Sequence, residues 1–189
     1  GTRVIFSATA HDWAVTKSYF VHADRYQIDM HLDIRPRTAS ATTRPRLFIS
    51  SPDIAELARD RSNAAYGTAD RRSMAVASDD QIKHDAWALP DLFGVDNTYT
   101  IHALVKDDDR FVRRGYFKRI DDANVTAIIE GPSLSDRASF DLSFYVGPKS
   151  VEAITAVEPR LEALFGFGWL SWLSKLMLRM LRELYKYLR

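Results

Sequence analysis

The amino-acid sequence predicts a mainly β protein, an antiparallel β-sandwich followed by C-terminal helices of which the last is amphipathic. Three observations carry this. Several segments alternate apolar and polar residues with period two, the mark of a strand with one buried and one wet face. These strand-like segments come first and helical patterns come last, an order that suits a sandwich with a helical appendage. Finally, the C-terminal segment from Phe167 to Arg189 repeats its apolar residues with the helical period.

The clearest strand is Arg25–Arg35. Tyr26, Ile28, Met30, Leu32 and Ile34 alternate there with Gln27, Asp29, His31, Asp33 and Arg35. Ala14–His22 is rich in Val, Thr, Tyr and Phe and forms a hairpin with it across Ala23-Asp24. Arg3–Thr9 is a third strand, turned at His11-Asp12. Arg35–Arg46 reads as a loop around Pro36 and Pro45. Leu47–Ser50 is a short strand, and Asp53–Arg61 is expected to form two helical turns after Ser51 and Pro52. Ser62–Arg72 is polar and expected to be irregular, and Met74–Ala77 to be a strand. Trp87, Leu89, Leu92, Phe93 and Val95 form an apolar cluster before a turn at Asp96-Asn97, and Thr98–Lys106 follows as a strand. The acidic run Asp107–Asp109 suits a hairpin turn. Phe111–Ile120, Val125–Glu130 and Ala138–Val146 complete the strands. In the last, Phe140, Leu142, Phe144 and Val146 alternate with Ser139, Asp141, Ser143 and Tyr145. Gly147-Pro148 ends the sheet region, and Ser150–Val157 reads as a short helix limited by Pro159.

On a helix at 100° per residue, Trp169, Leu173, Leu176, Met177, Met180, Leu184 and Tyr187 share an arc about 100° wide. Lys175, Arg179, Arg182, Lys186 and Arg189 fill a second arc about 80° wide on the other side, and Trp172 lies on the border. Such a helix is about 30 Å long, enough to cross a bilayer, but five cations and one glutamate make crossing costly. One Trp-bearing apolar side and one cationic side suit a helix lying in the membrane interface. The opposing reading is an ordinary amphipathic helix covering a soluble core. In an isolated chain the apolar stripe is expected to be covered by the sandwich's own surface, a neighbouring copy or detergent, and a stripe bare to solvent counts against the interfacial reading.

Composition bounds the rest. The 189 residues suffice for one sizeable domain with an appendage, and 46% hydrophobic with 27% charged residues is ordinary for a globular chain. Net charge is +1, yet residues 169–189 carry five cations against one glutamate, leaving the remainder at about −3. This distribution points to a membrane surface and away from nucleic acid. The absence of cysteine excludes disulfides, thiolate metal sites and a cysteine nucleophile. The chain starts at Gly1, without Met or signal peptide, and is expected to be a fragment of something larger.

No constellation is a positive signal for an enzyme. His22 and His31 could face each other across the first hairpin, and with Asp29 or Asp33 would begin a metal site. His31, however, lies on the polar phase, so a solvated histidine is the expectation. The carboxylate pairs Asp79-Asp80, Asp107–Asp109 and Asp121-Asp122 sit at expected turns, where solvated charge is the rule. The chain contains no GxSxG and no phosphate-binding loop. Gly166-Phe167-Gly168 is a hinge at a helix entry.

The run Phe144-Tyr145-Val146-Gly147-Pro148, a short helix, Phe167-Gly168-Trp169-Leu170 and then the cationic helix resembles the end of the large periplasmic domain of YidC-type bacterial membrane insertases. Leu92–Tyr99, Val15–Phe20 followed by Tyr26–Ile34, and Ala64–Thr68 are similar to further segments of that family, in the same order. The resemblance implies a β-supersandwich like that of mutarotase-type sugar-binding folds. It implies a protein at the periplasmic face of the bacterial inner membrane that helps insert and fold nascent inner-membrane proteins, alone or beside the Sec translocon. It also implies no nucleotide, no cofactor and no covalent chemistry. The family's transmembrane insertion groove is not in this sequence, and the first strands of the usual domain are expected to be missing.

The resulting expectation is a sandwich over residues 1–147, a short helix and connector over 148–166 and an interfacial helix over 167–189. Its membrane-contacting residues are Trp169, Trp172, Leu173, Leu176 and Met180, with Lys175, Arg179, Arg182, Lys186 and Arg189 meeting lipid headgroups. Two alternatives remain: a carbohydrate-binding or mutarotase-like sandwich, and an interaction module whose last helix packs on a partner helix.

Overall fold

The computed structural model describes residues 1–39, 41–50, 63–67, 75–121, 124–165, 177 and 180. Twelve strands occur among them. In chain order these are β1 (Thr2–Ala10), β2 (Trp13–Val21), β3 (Gln27–Pro36), β4 (Arg46–Ser50), β5 (Asn63–Gly67), β6 (Ala75–Val76), β7 (Trp87–Ala88), β8 (Leu92–Asp96), β9 (Thr100–Asp107), β10 (Arg114–Arg119), β11 (Val125–Glu130) and β12 (Ala138–Pro148). They form two antiparallel sheets. The larger runs β1-β2-β3-β12-β9-β8-β5-β6 and the smaller β4-β11-β10-β7. Helices are short: α1 (Asp79–His84), α2 (Val151–Thr155) and a 3-10 helix at Pro159–Phe165.

The two sheets pack face to face. Met30, Leu32 and Ile34 of β3, alternate residues on one face, are at most 2% exposed and meet Val125, Ala127 and Ile129 of β11 in one core. Phe93 stacks on Phe117 across the sheets with ring centroids 4.3 Å apart, and Trp87 closes edge-on against Phe117. A second core lies on the opposite face of the large sheet, where Ile154, Leu161 and Leu164 cover Ala65, Leu92, Ile101, Ala103 and Tyr145. This cover explains why every residue of β8 is buried. A Cβ at Gly94 would lie 2.1 Å from the His102 carbonyl oxygen, so the close approach of β8 to β9 requires glycine.

Several expectations are corrected. Ser62–Arg72 is not irregular throughout, because β5 runs through it with Ala64, Ala65 and Tyr66 buried. Pairing with β8 imposes a strand on a segment whose two alanines are poor strand formers. Asp107–Asp109 is not a hairpin turn; the chain crosses there from the large sheet to the small one. The Asp107 carboxylate accepts from the backbone amides of Phe111 (2.7 Å) and Val112 (2.8 Å), turning both side chains into the core. Asp79-Asp80 opens α1, where Ser78 and Gln81 form a capping box. Leu89, counted with the apolar cluster, is exposed at a positive φ of 46°. Tyr145, on the phase expected to be polar, is fully buried because the 3-10 helix and α2 cover that face. The helix expected at 53–61 lies outside the described residues.

Candidate functional site

The C-terminal exit from the sheet is braced by several tertiary contacts. β12 ends at Pro148, paired with Thr100. Tyr145 donates its hydroxyl to the Pro148 carbonyl at 2.6 Å, and burial pushes that phenol up to about 12. Lys149 pairs with the buried Asp96, and its backbone amide donates to the Tyr99 carbonyl. A Cβ at Gly147 would meet Tyr26 Cβ at 2.5 Å, so glycine lets the β2–β3 turn close over this exit. Ser150 then caps α2 by accepting from the Ala153 amide.

The 3-10 helix is held twice, by burial of Leu161 and Leu164 and by ion pairs of Arg160 with Glu158 and Asp91. Burial raises the Glu158 carboxyl, but hydrogen bonds from Arg160 outweigh it and leave a net lowering. The hydrogen bonds that Arg160 donates to Glu158 in turn raise its guanidinium. Whatever follows Phe165 therefore leaves from a fixed point.

The ten residues expected at the membrane interface all lie beyond that point, and Met180 alone among them is described. Trp169, Trp172, Leu173, Lys175, Leu176, Arg179, Arg182, Lys186 and Arg189 lie outside the described residues. Met180 is helical and 56% exposed, and Met177 is helical and 55% exposed. At these two positions the sandwich surface does not supply the cover expected for the apolar stripe, and this exposure counts against the interfacial reading.

The structure does not bring His22 and His31 together. His22 Nε2 lies 2.7 Å from Asp29 Oδ2, and His31 Nδ1 lies 2.7 Å from Asp141 Oδ1. The register opposes His31 to Ser18 on one side and to Asp141 on the other. Burial raises Asp29, but hydrogen bonds from His22, Gln27 and Ser143 leave it below the usual carboxylate range. Arg35 and Arg137 hold Asp33 well below that range. Among the described residues no group of three or more His, Asp or Glu is placed to hold a metal.

Asp29, His31 and Asp141 do line a cavity of about 510 Å³ on the outer face of the large sheet. The Asp141 side chain there is 66% exposed. Acid–base work of the mutarotase kind needs a carboxyl withdrawn from water so that its pKa rises, and this pair is not withdrawn. Sequence reasoning missed the Lys149–Asp96 and Arg160–Asp91 ties. Their partners are 53 and 69 residues apart, and no local pattern links them.

A family model described as the YidC periplasmic domain matches residues 1–180. The chain belongs to the YidC periplasmic-domain family. It is similar to "Membrane protein insertase YidC" of Bordetella pertussis, 24% identical over 196 residues covering 91% of this chain. It is also similar to the protein of that name from Geotalea daltonii, 28% identical over 103 residues covering 54% of this chain. The chain spans 33% and 18% of the lengths of those two relatives. A YidC periplasmic domain lies on the periplasmic side of the bacterial inner membrane. Its mainly β, two-sheet architecture is the one expected from the sequence. Among the described residues no helix is long and apolar enough to cross a membrane.

Proposed function

We propose that this chain is the periplasmic domain of an insertase that assists the insertion and folding of inner-membrane proteins. In this reading residues 1–147 form the sandwich, 148–166 a braced connector and 167–189 a helix lying flat in the outer-leaflet interface. The observation that carries the reading is the family match over residues 1–180, which runs from the first strand into the cationic amphipathic segment. The fixed exit at Phe165 supports it, because a helix held at one end can rest on a surface while the sandwich stands above it. Trp169 and Trp172 anchor at headgroup depth, and Lys175, Arg179, Arg182, Lys186 and Arg189 meet lipid phosphates. The partners are the lipid surface, nascent inner-membrane proteins and the Sec translocon. The domain acts by binding and placement, without cofactor or covalent chemistry.

Vesicle flotation tests this. The chain should float with vesicles containing anionic lipid, less so at high salt, and should stay in solution when residues 167–189 are removed. Equal flotation with and without those residues sinks the reading, and so does a segment that self-associates in solution while ignoring lipid.

A further inference from the structure

The connector after β12 follows one strand of the large sheet from end to end. Pro148, where β12 stops, pairs with Thr100, and Ile101 beside it pairs with Asp96, so β12 and β8 finish at the same end of the sandwich. At the other end of β8, Leu92 pairs with Gly67 and Asp91 precedes it. Lys149, the first residue of the connector, pairs with Asp96, and Arg160 pairs with Asp91. The two carboxylates are five residues apart, about 17 Å of strand. Between the ties Ile154 is fully buried with Ile101, Ala103 and Tyr145 in the second core.

The connector thus carries the chain back across the sheet, away from the end at which β12 released it. Beyond Arg160 the 3-10 helix lies against β6. That strand pairs with Ala65 and Tyr66, between the middle of β5 and Gly67. Leu164 is buried in the same core, and the five residues from Arg160 to Phe165 rise only about 10 Å. The chain therefore leaves the sandwich on the Asp91 side and not at Pro148.

The two ends carry different loops. At the Pro148 end the β2–β3 turn closes over Gly147, and the Tyr26 carbonyl accepts from the Val146 amide at 3.1 Å. At the Asp91 end stand two connections that cross between the sheets, Leu89–Asp91 and Asp108–Arg113. The Leu89 amide donates to the Arg113 carbonyl at 3.1 Å and joins them.

Docking is what holds the connector on this path. α2 has five residues and the 3-10 helix seven, and helices that short are not stable alone in water. Ile154, Leu161 and Leu164 belong to the second core, while the core between the sheets is built from other residues. The connector can therefore come away without dismantling that core.

We propose that the docked connector selects which end of the sandwich faces the membrane, with Arg160, Asp91 and Leu161 as positioning residues. The inference rests on the reading of residues 167–189 as the membrane-binding segment. The Asp91 end, with Leu89 and Arg113, is turned toward the lipid, and the β2–β3 turn is turned away. With the connector released, residues 150–165 become a tether of 16 residues with a span of about 20 Å. The point of departure then returns to Pro148, and the preference for one end is lost.

The chain has no cysteine, so Leu89→Cys or Asp24→Cys each provides a single site for a fluorescein label, at opposite ends of the sandwich. Energy transfer is read to a rhodamine lipid in phosphatidylcholine vesicles containing phosphatidylglycerol. Transfer is expected to be stronger from position 89 than from position 24. Arg160→Glu sets a like charge against Asp91 and should release the connector, seen as faster hydrogen exchange over residues 151–165. The difference between the two sites should then be lost at unchanged flotation. Adding Asp91→Arg restores an opposite pair and should bring the difference back, which a general loss of stability would not do. Leu161→Asp should act as Arg160→Glu does. Three results overturn the proposal: equal transfer from the two sites, stronger transfer from position 24, or a difference that persists once residues 151–165 exchange freely. If the variants do not fold or do not release the connector, the order of transfer in the otherwise unaltered chain still decides. A chain that does not float overturns the reading of residues 167–189 and this one with it, whereas flotation with equal transfer overturns this one alone.

Discussion

His102 Nδ1 lies 2.7 Å from the Ser50 carbonyl oxygen and joins β9 of the large sheet to the last residue of β4. Burial pulls His102 below its ordinary pKa, the bond to Ser50 only partly opposing it, so the folded protein holds this imidazole neutral. A depressed histidine pKa contributes stability that is fully present above the ordinary value and lost as pH falls through it. Melting temperature should therefore drop between about pH 7 and pH 5. His102→Gln should flatten that part of the profile. His102→Ala should cost about 1 kcal/mol at neutral pH, or roughly 2–4 °C in Tm. A His102→Gln profile that still falls by the full amount would assign the transition to another group.

Two glycines separate a repairable clash from one that cannot be repaired. A Cβ at Gly94 meets the His102 carbonyl and the Ala103 Cα, both backbone, at 2.1 and 2.5 Å. A Cβ at Gly147 meets the side chain of Tyr26. Gly94→Ala should abolish soluble expression or cooperative melting. Gly147→Ala should fold with a lower Tm and recover when Tyr26 is replaced by glycine. Melting curves of the three variants check this.

The same contrast shows what could be read in the sequence. β3 and the first half of β12 were legible because one face of each is buried and the other largely wet, so period two is written into Met30, Leu32 and Ile34 and into Phe140 and Leu142. β5 was not, because Ala64, Ala65 and Tyr66 become a strand only through their pairing with β8. Tyr145 misled because the second half of its strand is covered on both faces once α2 and the 3-10 helix fold back. Asp107 misled because its two amide bonds are tertiary. Of the candidate site, the helical period of residues 167–189 was readable at once. The brace that precedes it in the chain, Lys149 to Asp96 and Arg160 to Asp91, depends on the finished fold.

Glu130 gathers Arg44, Arg46 and Arg114 at 3.0 to 3.4 Å with its own side chain 4% exposed. Burial raises its pKa, but the Arg46 hydrogen bond and the three guanidinium charges lower it further, leaving a net depression. A depressed carboxylate gives stability above its ordinary pKa that is lost as pH falls through the folded value. Glu130→Gln should thus lower Tm most at neutral pH and least in acid, with the curves of the two proteins converging below about pH 4. A constant gap across that range would mean that the arginines contribute nothing through charge.

Leu161 is fully buried against Tyr145 and Ile101 on the second face of the large sheet. Leu161→Ala should cost about 2–5 kcal/mol if the 3-10 helix stays docked around the cavity. If the helix instead undocks, hydrogen exchange should quicken for residues 151–165 and leave β3 and β11 protected. Exchange mapped by mass spectrometry distinguishes the two, and uniform quickening would show that this cap and the sandwich unfold as one unit.

The last prediction separates the two sides of the proposed interfacial helix. Each Lys or Arg near an anionic surface contributes about 1 kcal/mol, so Lys175→Gln with Arg179→Gln and Arg182→Gln should weaken flotation with anionic vesicles by about a hundredfold. The same triple change should barely alter the weak binding to zwitterionic vesicles. Trp169→Ala with Trp172→Ala should weaken both, because the aromatic anchors act whatever the headgroup charge. Fluorescence of the two tryptophans should shift to the blue on binding. If the triple glutamine variant loses its zwitterionic binding as well, the cations are holding the helix together or holding it to the sandwich, and the headgroup role assigned to them is wrong.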